Sequence, residues 1–239
     1  MRVNAGMPRL ELILLPGLDG TGRLFAPLME SLAGCGVSAR VIGYPTHDAL
    51  DYVALERHVH AELPESSAFV LLAESFSGPI ALRIGAAPPD NMKGVILSTT
   101  FAARPTSLLG PLSGCLWWAR VRPPMFLLDW FLLGRWSNET LRSELAAALA
   151  DVPVSVLSRR AFEALHVDAV EASMSQKRPA MILWAKQDRL LSANARRQLA
   201  NALQTAQTRV VEGPHLLLQT QPRLCAGLIA EFMQTLTVE

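Results

Sequence analysis

Apolar runs of strand length alternate with longer amphipathic stretches along most of this chain. The runs are "LELILL" (10–15), "SARVIGYP" (38–45), "AFVLLA" (68–73), "KGVILS" (93–98), "AMILWA" (180–185) and "TRVVEG" (208–213). The third and fifth contain no charged residue, the pattern of strands buried on both faces. Helical spacing marks "RLFAPLMESLAG" (23–34), which Gly34 would close as a C-cap, and "ALDYVALERHVHAEL" (49–63), with Leu50, Val53, Leu55 and Val59 as its apolar positions. It recurs from Phe76 towards Ala86, in "ANARRQLANAL" (193–203) and in "PRLCAGLIAEFMQTL" (222–236). Strand and helix repeated in this order predict an α/β fold: a mostly parallel central sheet with helices on both faces.

Residues 101–178 interrupt the rhythm. They hold no clear strand, a Leu-, Trp- and Pro-rich piece ("PLSGCLWWARVRPPMFLLDWFLLG") and a polar helical stretch that Asn138 or Ser137 would cap. The expected organisation is a core of residues 1–100 and 179–239 with a helical cap or lid insertion at 101–178.

Composition narrows the classes. Half of the 239 residues are hydrophobic, 18% are charged and the formal net charge is +1, so a large core is available and no electrostatic footprint for nucleic acid is present. The pairs Arg159-Arg160 and Arg196-Arg197 read as solvated helix faces. Cys35, Cys115 and Cys225 are odd in number and lack metal-ligand spacing, which predicts buried thiols in a reducing, cytoplasmic setting, with no metal and no cofactor. "MFLLDWFLLG" is about half of the ~20 apolar residues a membrane span needs, and Asp129 breaks it.

In open α/β sheets ligands bind beyond the carboxyl ends of the strands, so the residues just past each run carry the candidate chemistry. After the first comes "PGLDGTG", glycine-dense but followed by no Lys, so it fits neither a phosphate loop nor a dinucleotide fingerprint. After the third comes Ala73-Glu74-Ser75-Phe76-Ser77-Gly78. A serine flanked by small residues at plus and minus two suits a tight strand-to-helix turn that lifts its Oγ clear. The Phe76 N–H would then lie at a helix N-terminus, where developing negative charge is favoured. Asp188 follows the fifth run and His215 the sixth. A histidine takes the serine proton, and a carboxylate holds its tautomer and stabilises its charged form.

With "LLPGLDGTG", "LLAESFSGPIAL", "LWAKQDRLLS" and "GPHLLLQ" in the order Ser, Asp, His, the chain resembles the α/β-hydrolase superfamily over residues 10–237. Two positions depart from that pattern: Pro16-Gly17 stands where His-Gly is common, and Ala73 replaces the first elbow glycine. The resemblance implies a serine esterase or lipase-like hydrolase with Ser75, His215 and Asp188 catalytic and the Leu18 and Phe76 N–H groups as oxyanion hole. Its substrate would be a small ester with an apolar acyl or alcohol part, such as a carboxyl ester, a lysophospholipid or an acyl-carrier methyl ester. An acidic acyl-carrier protein would meet Arg120, Arg122 and Arg135. A slow ligand sensor or scaffold on the same fold, or an acyltransferase or perhydrolase using the same triad, stays open. Dehalogenase and epoxide-hydrolase chemistry place a carboxylate where Ser75 stands.

Trp117, Trp118, Phe126 and Trp130 either line an acyl pocket or form the insertion's own core. His47, in a loop at the same sheet edge, is a further candidate substrate contact. Asp19 reads as a local backbone hydrogen-bonder, and Glu74 as packing beneath the serine or tuning it.

Overall fold

The computed structural model describes residues 10–106 and 123–236. Six strands form one sheet: β1 (Glu11–Leu15), β2 (Ala39–Val41), β3 (Phe69–Glu74), β4 (Met92–Ser98), β5 (Ala180–Ala185) and β6 (Gln207–Val211). Their order is β2-β1-β3-β4-β5-β6, and every pairing is parallel. The edge strands are weakest in apolar content. β2 has three residues, and β6 exposes Thr208, Arg209 and Val210, a composition that discourages further pairing.

Because side chains alternate along a strand, each apolar run supplies both faces of the sheet. Ile13, Leu15, Leu71, Ala73, Val95, Leu97 and Ile182 point to one face. There they meet α2 (Tyr52–Glu62), α3 (Gly78–Ala86) and α8 (Ala193–Ala202) through Leu55, Val59, Ile80, Ile84 and Leu199. Leu12, Leu14, Val70, Leu72, Ile96 and Leu183 point to the other, against α1 (Ala26–Gly34) and α10 (Pro222–Thr235) through Leu28, Leu32, Ile229 and Phe232. Each such leucine or isoleucine contributes about 1.5–3 kcal/mol by leaving water.

Two sequence expectations change. In α2 the buried face is Tyr52, Leu55 and Val59, whereas Val53 is exposed, since it lies about a quarter-turn from Tyr52. Asp51 caps this helix through the Ala54 N–H, which sets that phase. Gly34 lies inside α1, and the left-handed residue that follows the helix is Gly36.

Between β4 and β5 the described residues form α4 (Met125–Leu132), a short 3-10 turn (Gly134–Trp136), α5 (Glu139–Ala150), α6 (Val154–His166) and α7 (Val170–Met174). Asn138 caps α5 by accepting from the Leu141 N–H at 2.9 Å. Leu133, just past α4, packs with Leu145 and Ala148 of α5 and reaches Leu24 and Leu216 of the core. A four-residue helix, α9 (Leu217–Thr220), precedes α10. Among the described residues no helix is long and apolar enough to cross a membrane.

β2 and β3 lie on opposite sides of β1, so the chain reverses direction across the sheet there. This topological switch opens a crevice beyond the ends of β1 and β3. At its floor β3 passes into α3 through Ser75–Ser77, with Ser75 at φ 49°. A left-handed serine is disfavoured by about 1–2 kcal/mol, so neighbours must hold it. The Thr100 hydroxyl donates to the Ser75 carbonyl, and Tyr52 Oη donates to the Phe76 carbonyl at 2.9 Å. Gly78, three residues past the serine, is also a tight position: a Cβ there would lie 2.8 Å from both Cβ and Cγ2 of Thr100.

Replacing Gly78 by alanine is therefore expected to destabilise the protein by about 1–3 kcal/mol through overpacking. Urea unfolding of Gly78→Ala beside wild type measures this, and an unchanged midpoint would show that Thr100 yields freely.

Candidate active site

Three loops meet at the crevice. The turn after β3 presents a half-buried Ser75, the loop after β5 carries Asp188, and the loop after β6 carries His215. Ser75 Oγ lies 2.8 Å from His215 Nε2, and His215 Nδ1 lies 2.9 Å from Asp188 Oδ2. The His215 and Asp188 side chains are only 2% and 1% exposed. The other Asp188 oxygen, Oδ1, accepts from the backbone N–H groups of Leu190 at 2.8 Å and Leu191 at 3.0 Å. One oxygen is thus anchored to backbone and the other faces the imidazole, a division that fixes the ring's orientation.

Burial by itself disfavours charge on both partners, but their mutual attraction outweighs it. The Asp188 carboxyl is lowered from its ordinary pKa, because the His215 charge and hydrogen bond and the two backbone N–H groups overcome desolvation. His215 is raised from its ordinary 6.5, because Asp188, aided by Glu74, overcomes the opposing effect of burial.

Glu74 lies directly before the serine, fully inside the protein. Its Oε2 accepts from Gln219 Nε2 at 3.1 Å, while its Oε1 has no protein partner. Burial pushes its carboxyl up to about 7, against the opposing pull of Gln219 and His215. Glu74 therefore both packs beneath the turn and couples electrostatically to the imidazole. Gln219 is a site residue the sequence reading missed. Its partner Glu74 lies 145 positions earlier in the chain, so no local spacing signalled it.

The loop after β1 forms the opposite wall. The Gly20 N–H donates to the Gly17 carbonyl at 3.1 Å, closing a turn, and Asp19 accepts from the Thr21 N–H at 2.9 Å. Ser77 Oγ donates to the Pro16 carbonyl and also contacts Tyr44 Oη. This ties the loop after β1 to the loop after β3, with Leu18 and Phe76 one on each.

Other expected residues fall elsewhere. His47 is exposed in the loop after β2. Phe126 and Trp130 project from α4 at 70% and 53% exposure, so they are not a closed core of the insertion. α4 is nevertheless seated on the site's rim: the Leu132 carbonyl accepts from the Leu216 N–H, and the Trp130 carbonyl from Arg189 Nη1, both at 3.0 Å. Trp117, Trp118, Cys115, Arg120 and Arg122 lie outside the described residues. Cys225 is buried, but Cys35 is exposed at the end of α1, contrary to expectation. Arg160 also departs from expectation. It is 1% exposed rather than solvated, because α6 turns it inward onto three main-chain carbonyls.

With this fold and geometry, the chain belongs to the Alpha/beta hydrolase family, whose profile it matches over residues 12–228. No curated protein gives a significant sequence match. Among solved structures it is similar to a lipase-esterase related protein from Clostridium acetobutylicum, at 15% identity and TM-score 0.77 over 98% of each chain. It is also similar to a hydrolase from Oleispira antarctica, at 15% identity and TM-score 0.78, covering 96% of this chain and 92% of that one. The enol-lactonase of Burkholderia xenovorans is a third, at 14% identity and TM-score 0.76, covering 97% and 94%. At these identities the likeness is one of fold.

Glu74 yields a prediction that needs no substrate. Its folded pKa, about 7, lies above its ordinary 4.5, so between those values the folded state binds more protons than the unfolded one. Stability should fall as pH rises through that window, by on the order of 3 kcal/mol. His215, also raised, adds a slope of the same sign above its ordinary value. Urea unfolding from pH 5 to 8 should show Glu74→Gln losing less stability than wild type, and parallel profiles would contradict a Glu74 carboxyl raised by burial.

Proposed function

We propose that this protein is a serine hydrolase that cleaves carboxylic esters with an apolar acyl or alcohol part. The observation that carries the proposal is the hydrogen-bonded line from Ser75 through His215 to a backbone-anchored Asp188. In this reading His215 Nε2 removes the Ser75 proton as Oγ attacks the ester carbonyl carbon. Asp188 holds the proton on Nδ1 and stabilises the imidazolium that forms. The Leu18 and Phe76 N–H groups receive the oxyanion. Their preorganisation is supported by the hydrogen bonds that tie the Pro16 and Gly17 carbonyls in one loop and the Phe76 carbonyl in the other.

Collapse of the tetrahedral intermediate expels the alcohol, which takes the proton from His215. Water then enters and gives its proton to Nε2 as its oxygen attacks the acyl carbon. Release of the carboxylic acid frees Oγ, which recovers its proton. Residues 101–178 would act as the cap, with the exposed apolar side chains of α4, Phe126 and Trp130 among them, offering a hydrophobic approach to the rim. The similar structures named as a lipase-esterase related protein and an enol-lactonase make acyl-oxygen cleavage the natural class to test first.

The test is hydrolysis of p-nitrophenyl esters of graded chain length. Ser75→Ala and His215→Ala should each lower kcat by roughly 10⁴–10⁶-fold, since such residues act as a unit. The base form of His215 is required and its pKa is raised, so kcat/KM should fall as pH drops through an apparent value above 6.5. Asp188→Asn removes the carboxylate that raises it, so the residual activity should show this limb at lower pH. Turnover that survives in Ser75→Ala would refute the assignment, and no turnover of any ester by wild type would favour a ligand sensor.

A further inference from the structure

Arg160 enters the core from α6, a helix of the segment between β4 and β5, and its guanidinium reaches the loop after β1. Nη1 donates to the Leu18 carbonyl at 3.0 Å and to the Asp19 carbonyl at 2.6 Å, and Nη2 donates to the Pro45 carbonyl at 3.0 Å. Its Cζ lies 5.6 Å from the centre of the Tyr44 ring, and Tyr44 Oη contacts the Ser77 hydroxyl that holds the Pro16 carbonyl. Burying a guanidinium is costly unless its donors are met, and here main-chain oxygens meet them. The loop is shaped to admit it. Gly20 has φ +72°, and a Cβ there would lie 2.8 Å from the Arg160 Cζ.

The consequence concerns one peptide group. The peptide carrying the Leu18 N–H is flanked by two others, whose carbonyls belong to Pro16 and Leu18. Ser77 grips the first and Arg160 the second, while the Gly20 N–H holds the Gly17 carbonyl of the central one. Rotation of the central peptide must break at least one of these contacts. Two come from the core, but the third comes from α6.

We infer that Arg160 is a positioning residue that links the seating of the inserted helices to the orientation of the Leu18 N–H, so that the oxyanion site is complete only when α6 is docked. This rests on the serine-hydrolase reading above. Arg160 touches no reacting atom, and its effect passes through the backbone of Leu18 and Asp19.

The test compares wild type, Arg160→Met, Arg160→Lys and Ser75→Ala on p-nitrophenyl butyrate. It adds inhibition by a trifluoromethyl ketone, which forms a tetrahedral oxyanion on the serine, and thermal unfolding. Loosening one oxyanion donor should lower kcat for Arg160→Met by roughly 10- to 100-fold while KM stays within about 3-fold. Ketone affinity should fall in parallel with kcat/KM. Arg160→Lys, which keeps the charge and can reach one carbonyl, should recover part of both. A purely structural role would lower the melting temperature without this kcat-against-KM split or the matching loss of ketone affinity. Wild-type kcat in a folded Arg160→Met overturns the inference. If that variant does not fold, wild-type kcat and ketone affinity in Arg160→Lys do the same. Turnover by wild type that is lost in Ser75→Ala separates a failure of this inference from a failure of the hydrolase reading, which absent wild-type turnover would overturn together with it.

Discussion

A serine in the left-handed region, between a buried strand and a helix, is the constraint on which the rest of the site depends. The turn is unfavourable by itself, and the structure spends several side chains on it. Thr100 takes the Ser75 carbonyl, Tyr52 takes the Phe76 carbonyl, and Gly78 leaves room for Thr100. These supports come from three separate parts of the chain, β3 to α3, α2 and the end of β4, so the turn is held by the assembled fold rather than by its own residues. Its position is equally a product of topology. The reversal of strand order at β1 and β3 leaves open space where Ser75 emerges.

Around that turn the charges are arranged against the cost of burial. Asp188 is buried yet held below its ordinary pKa, because it receives two backbone N–H groups and the imidazole. Glu74 is buried with one hydrogen bond and rises to about 7. Two carboxylates within one site therefore differ in protonation because they differ in donors, not in depth. Glu74 therefore changes charge near neutral pH while Asp188 stays ionised beside His215, and the negative charge Glu74 gains there favours the imidazolium.

Much of this was legible in the residues. The six apolar runs, the parallel sheet and the placement of Ser75, Asp188 and His215 just past strand ends follow from period, length and order. Val53 was misplaced because an amphipathic helix has a boundary residue at each side of its stripe, and the Asp51 cap decides the phase. The need for glycine at position 78 was not legible, because the clash it avoids is with Thr100, 22 positions away. Arg160 was read as solvated because a doublet of arginines on a helix is usually so. Only the fold brings three unpaired carbonyls from two loops to meet one of them.

The sequence by itself determined the alternation of strands and helices, the family, and which residue types stand at the strand ends, because these depend on local periodicity and on short spacings. The tertiary structure alone decided that Ser75, His215 and Asp188 lie within hydrogen-bond reach, that Glu74 finds Gln219, and that α6 sends an arginine into the loop after β1. Those are contacts between residues remote along the chain, and nothing in a residue's neighbours in sequence records the direction in which a packed helix turns its side chains.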